Sequence, residues 1–90
     1  MIRLTAIVTG KVQGVHYRAF AQDAATELDI VGTIQNDPTD TVTVLAEGPP
    51  EVLKEFVEYL HEGSLLSEVA GVSVEWGSAT GTFSDFSVLQ

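Results

Sequence analysis

The nine residues Gly10-Lys11-Val12-Gln13-Gly14-Val15-His16-Tyr17-Arg18 hold most of the chemistry this chain can offer. They join an apolar, strand-like run (Ile2 to Val8) to a helix-patterned run (Ala19 to Leu28). A loop that opens onto a helix exposes backbone N–H groups without intrahelical partners, and the helix dipole adds positive potential there. Gly14 can adopt a positive φ, which turns consecutive N–H groups inward as an anion-binding nest. Arg18 contributes a permanently charged planar fork matched to paired oxyanion oxygens. Taken alone, these residues define an oxyanion site and nothing more specific.

Alternation places the elements around this loop. Ile2, Leu4, Ala6 and Val8 share one face of a first strand. Tyr17, Phe20, Ala21, Ala24, Ala25 and Leu28 form one stripe of an amphipathic helix, and Asp29 ends it near the left-handed region. Ile30 to Gln35 and Thr41 to Glu47 read as a hairpin around the turn Asn36-Asp37-Pro38-Thr39-Asp40. Pro49 and Pro50 open a second helix with Glu51 in its first turn, a stripe of Val52, Leu53, Phe56, Val57 and Leu60, and Gly63 as C-cap. Val72, Val74 and Trp76 mark a fourth strand, with Trp76 expected in the core. Phe83, Phe86 and Val88 mark a short terminal one. The predicted fold class is α+β: a β-α-β-β-α-β sandwich with a mostly antiparallel sheet, two helices on one face and a short extra C-terminal strand.

Composition bounds the possibilities. The chain has 90 residues, 44% hydrophobic and 19% charged, which is ordinary for a folded protein and fits one domain over residues 1–90. Thirteen acidic residues against four basic ones give a net charge of −9. Such a surface repels nucleic acid and anionic membranes, so neither is an expected partner. At about 0.15 M salt the Debye length is about 8 Å, so distant acids are screened while Arg18 and the loop N–H groups act at contact range. The acid excess fits work in high salt and a solubility-favouring surface equally well. No apolar run approaches a membrane span and no apolar block marks a signal peptide, so a cytoplasmic protein is expected. Cysteine is absent, and His16 and His61 have no partner at metal-ligand spacing, so neither a metal nor a cofactor is expected.

The motif Gly10-x-Val12-Gln13-Gly14-Val15-x-Tyr17-Arg18, with Asn36 at a strand end, resembles the acylphosphatase family. Ala46–Gly48 and Val72-x-Val74-x-Trp76 extend the resemblance over nearly the whole chain. It implies a ferredoxin-like fold and hydrolysis of acyl phosphates to carboxylate and inorganic phosphate, without a cofactor. By the resemblance, Arg18 is the phosphate-binding arginine and Asn36 the water-orienting asparagine. The backbone N–H groups of Gln13, Gly14, Val15, His16, Tyr17 and Arg18 would complete the phosphate cradle. The expected partners are a small acyl phosphate and inorganic phosphate as product and competitive inhibitor, with the protein a monomer. Thr33 stands where the family often has tryptophan, Gln35 where it often has arginine, and Asp29 where glycine is frequent.

Two further readings compete. The same fold could bind an acyl or carbamoyl phosphate, or another anion, without hydrolysing it; an asparagine at position 36 argues against this, because binding needs only the loop and Arg18. A sheet surface that binds RNA would want basic residues and exposed aromatics on the central strands, and the third strand offers Val42, Thr43 and Val44.

Overall fold

A computed structural model describes residues 1–89 as seven elements. They are β1 (Ile2–Lys11), α1 (Tyr17–Glu27), β2 (Val31–Asn36), β3 (Val42–Gly48), α2 (Pro50–Glu62), β4 (Glu68–Ser78) and β5 (Phe86–Leu89). The sheet order is β4-β1-β3-β2-β5. The β1–β3, β1–β4 and β2–β3 pairs are antiparallel and β2–β5 is parallel. This is the expected sandwich, with both helices against one face.

The core follows from the alternation. Leu4, Ala6 and Val8 of β1, Val42, Val44 and Ala46 of β3 and Ile34 of β2 are all fully buried. Registered side by side, they form one apolar face. Ala21 and Ala25 of α1 and Leu53, Phe56 and Leu60 of α2 close over it. Small alanines let α1 lie close to the sheet, and Phe56 meets Phe86 edge-on at 5.8 Å, which draws β5 into the same core. Asp29 sits at φ 58, as expected, with its N–H and that of Ile30 donating back to Thr26 and Ala25, a helix stop that glycine would make more cheaply.

Three expectations need correction. Gly10 and Lys11 belong to β1 and not to the loop, because a bulge between Thr9 and Gly10 lets pairing with β4 continue to Lys11 opposite Glu68. Gly10 takes φ 118 there, and a Cβ would collide with the Glu68 carbonyl. Trp76 is 47% exposed: it stands on the helix side opposite Leu4, but β4 is an edge strand with a neighbour on one side only. Phe83 precedes β5 and lies in the connection leading to it.

That connection has little slack. β4 and β5 are at opposite edges, so residues 79–85 must cross the sheet. Four strand spacings amount to roughly 19 Å, and seven residues reach at most about 25 Å. Glu47 of the central strand β3 holds the crossing. Its Oε2 accepts from the Thr80 N–H at 2.8 Å and the Thr80 hydroxyl at 2.9 Å, and its Oε1 accepts from the Gly81 N–H at 3.1 Å. It is 1% exposed and faces Arg3 across the β1–β3 ladder.

The Thr80 backbone N–H lowers the Glu47 pKa from its ordinary 4.5, with the Thr80 hydroxyl, the Gly81 N–H and Arg3 adding to the effect against the opposing cost of burial. A depressed carboxyl stabilises the fold at pH values above its unfolded pKa, and that contribution disappears as pH falls through the folded value. Glu47→Gln is therefore expected to lower the melting temperature at pH 7 and to flatten the acid limb below about pH 4.5. Thermal melts from pH 7 to pH 2.5 test this; parallel curves for the two proteins would dissociate Glu47 from acid stability.

Candidate active site

Four chain segments meet at one end of the sheet: the end of β1, the start of α1, the end of β2 and the end of β5. In the loop between β1 and α1, Val12 and Val15 are buried beneath the backbone, while Gly14 and His16 face outward. Tyr17 anchors the helix start. Its ring is buried and its hydroxyl donates to the Leu60 carbonyl at 2.7 Å, so burial pushes its pKa well up and keeps it a neutral donor. The Ser64 hydroxyl donates to the Val15 carbonyl at 2.7 Å and fixes the loop from the α2 side.

Two left-handed residues shape the cradle. Gly14 lies at φ 71 and His16, the N-cap of α1, at φ 62 and ψ 21. Reversals of hand of this kind are the backbone pattern from which anion-binding nests are made. His16 makes no side-chain cap bond, and the first turn carries no acid. The opening amides of α1 therefore have neither a capping oxygen nor a carboxylate from the helix itself, the arrangement that suits an external oxyanion. His16 was expected to contribute a backbone N–H to the loop; its backbone also makes the N-cap. A single sequence carries no signal for a left-handed histidine.

Arg18 lies in the first turn of α1, where its Nη1 donates to the Leu89 carbonyl at 3.0 Å. Gln22, one turn on, donates to the Phe86 carbonyl at 3.0 Å. Both bonds tie α1 to β5, so the last strand orients the arginine, a role that reading the sequence missed. A cleft of about 340 Å³ opens beside it, lined by Gly14, His16, Arg18, Ala19, Gln22 and Val88 among others.

Asn36 closes β2 opposite Val42, on the helix side of the sheet. Its Oδ1 is buried and has no hydrogen-bond partner among the described residues. Leaving a buried acceptor unpaired costs about 1–3 kcal/mol, so such atoms are rare and call for a donor. Asn36 does not line the cleft beside Arg18, but its two chain neighbours are tied to segments that do or that lead into it. Leu89, which receives the Arg18 bond, is the register partner of Gln35, one residue before Asn36. The side-chain amide of Gln13 donates to the carbonyl of Asp37, one residue after it, at 2.9 Å. Thr33 and Gln35 alternate with Ile34 and Asn36, so the family departures at those positions face away from the helices. Lys11 pairs with Glu68 on β4.

The sandwich, with a loop of left-handed residues, an uncapped helix start and a buried amide oxygen at one end of its sheet, defines a ferredoxin-like protein whose β1–α1 loop suits an anion. Residues 4–88 match the family model described as Acylphosphatase. An acylphosphatase from Thermus thermophilus is 49% identical over 81 residues, covering 90% of this chain and 92% of the relative. The crystal structure of acylphosphatase from Bacillus subtilis matches with a TM-score of 0.96 at 36% identity over 100% of both chains. The structure of an acylphosphatase from Coxiella burnetii matches with a TM-score of 0.89 at 31% identity, over 97% of this chain and 90% of that one. The chain belongs to the acylphosphatase family. It is an enzyme that hydrolyses acyl phosphates.

Because His16 contributes backbone geometry, its ring is expected to be dispensable. His16→Gly should raise stability by on the order of 0.5–1 kcal/mol by relieving the left-handed strain. Turnover should stay near wild type. A fall approaching ~10²-fold would instead mark the imidazole as an acid–base group.

Proposed function

We propose that Arg18 and the backbone N–H groups of Gln13 to Arg18 hold the phosphoryl group, and that Asn36 aims the water that attacks it. The acyl phosphate is already activated, so the protein has three tasks: to immobilise the phosphoryl oxygens, to offset the charge that builds on them, and to keep a water in line. The water oxygen forms a bond to phosphorus while the bond from phosphorus to the acyl oxygen breaks, its electron pair leaving with the carboxylate. The water's proton passes to a phosphoryl oxygen. A carboxylate of ordinary pKa, about 4, leaves without help from an acid, so the scheme needs no titrating side chain.

The observation that carries this reading is the unpartnered, buried Asn36 Oδ1. When the amide turns toward the bound phosphoryl group, that oxygen accepts one hydrogen of the water, and the Asn36 amide nitrogen donates to the phosphoryl oxygen on which charge builds in the transition state. The uncapped helix start and the pre-oriented Arg18 fork supply the positive side of the site in a protein of net charge −9. Product phosphate, held by Arg18 and the loop N–H groups, competes with substrate.

Two substitutions separate the roles. Arg18→Ala is expected to abolish competitive inhibition by phosphate and nearly all turnover. Asn36→Ala is expected to lower kcat by ~10²–10³-fold, the usual cost of removing one preorganised group, while the inhibition constant for phosphate holds. Steady-state hydrolysis of benzoyl phosphate with and without phosphate reads both. Wild-type turnover by Asn36→Ala would sink the water-orienting role.

A further inference from the structure

The side chain of Gln13 is tied to neither the cradle nor the helix that follows it. Its Nε2 donates to the carbonyl of Asp37 at 2.9 Å and to the carbonyl of Thr41 at 2.9 Å, bridging 24 and 28 residues of chain. Both partners are carbonyl oxygens, so the nitrogen and not the oxygen of the amide must face them, and both of its hydrogens are used.

The turn that receives these bonds is already closed on itself. The Asp37 N–H donates to the Thr41 carbonyl at 2.8 Å. The Asp37 carboxylate accepts from the hydroxyls of Thr41 at 2.8 Å and Thr43 at 2.6 Å. Hydrogen bonds from Thr43, Thr41 and Gln35, Thr43 first, hold that carboxyl below its usual range against burial, so the knot persists at neutral pH. A turn with so many internal bonds keeps its own shape without Gln13. What it cannot fix from within is its position relative to the β1–α1 loop. Asn36 is the residue where β2 ends and this turn begins, with its last ladder partner at Val42.

We infer that Gln13 is a positioning residue for the hydrolysis: its amide is the strut that sets Asn36 at the working distance from the phosphate cradle. The inference rests on the water-orienting role proposed for Asn36. One end of the strut belongs to the residue whose backbone N–H opens the cradle, and the other end grips the residue after Asn36. Any substrate phosphate and its attacking water are thereby held by two pieces of backbone joined through one side chain. A displacement of about 1 Å between them is enough to cost roughly 10²-fold in rate.

The test uses Gln13→Met, which keeps the length and volume but removes both donors, alongside Gln13→Glu, in which a carboxylate faces two carbonyls. Rates are taken per folded molecule, with folding checked by circular dichroism. Gln13→Met should lower kcat on benzoyl phosphate by about 10- to 100-fold. The inhibition constant for inorganic phosphate should change by less than about twofold, because Arg18 and the loop N–H groups are untouched. In the Asn36→Ala background the same substitution should cost less than about twofold more, since groups acting through one another are not additive. Gln13→Glu should show the same pattern, and it carries the test if Gln13→Met does not fold. Unchanged kcat, a matching loss of phosphate affinity, or a full additional loss in the Asn36→Ala background would each overturn the strut. If Asn36→Ala is itself unimpaired, the water-orienting role fails first and the strut falls with it.

Discussion

A carboxylate far from the chemistry sets the conditions for the site. Because β4 and β5 lie at opposite edges of the sheet, the chain must cross it before the last strand can pair, and the crossing residues must run largely extended to do so. Glu47, buried beneath the crossing, supplies the bonds that hold it midway. Only with the crossing held does β5 arrive parallel to β2, bringing Phe86 to the core and the Leu89 carbonyl to Arg18. Glu47 thus anchors the crossing at one end of the sheet, and the strand the crossing leads to meets the Arg18 guanidinium at the other. The coupling runs through strand pairing, which does not bend easily.

Electrostatics at the site are local by necessity. The overall charge of −9 opposes any anionic substrate. At physiological salt, charges beyond about 8 Å are largely screened, and dipoles and cations in contact with the ligand decide binding. The backbone is one source of such dipoles: the first turn of α1 contains no acid and no side-chain cap, an arrangement that suits an oxyanion. Arg18 is held by a neutral carbonyl, which orients the fork without neutralising its charge.

Period-2 and helical spacing made the fold legible, because the residues that alternate in sequence are those that meet in the core. Leu4, Ala6 and Val8 needed no tertiary information to be read as one face. Trp76 was misread for a related reason: alternation reports which side a residue faces, but not whether its strand lies at the edge. The site was legible in part. Arg18 and the glycine at position 14 announce an oxyanion loop through their own chemistry, whereas the buried state of the Asn36 oxygen depends on what packs around it, and a turn-forming asparagine before Asp-Pro looks the same in sequence. The Arg18–Leu89 and Gln13–Asp37 bonds were illegible, since each joins residues brought together only by sheet topology and ends on a backbone carbonyl that any residue type provides.

The distribution of satisfied polar groups separates scaffold from chemistry. Tyr17, Glu47, Asp37 and Gln13 all place polar atoms inside the protein, and each of them finds partners there. Their bonds have the fixed geometry that low-dielectric surroundings reward. Asn36 is built differently: its neighbours on both sides along the chain are tethered, yet its own oxygen has no donor among the described residues. Folding alone gives no reason to leave that oxygen unpaired, because a buried acceptor destabilises the native state unless something binds to it. The water proposed to attack the phosphoryl group is such a partner. A substitution that satisfied Asn36 from within would therefore be expected to stabilise the fold at the expense of turnover.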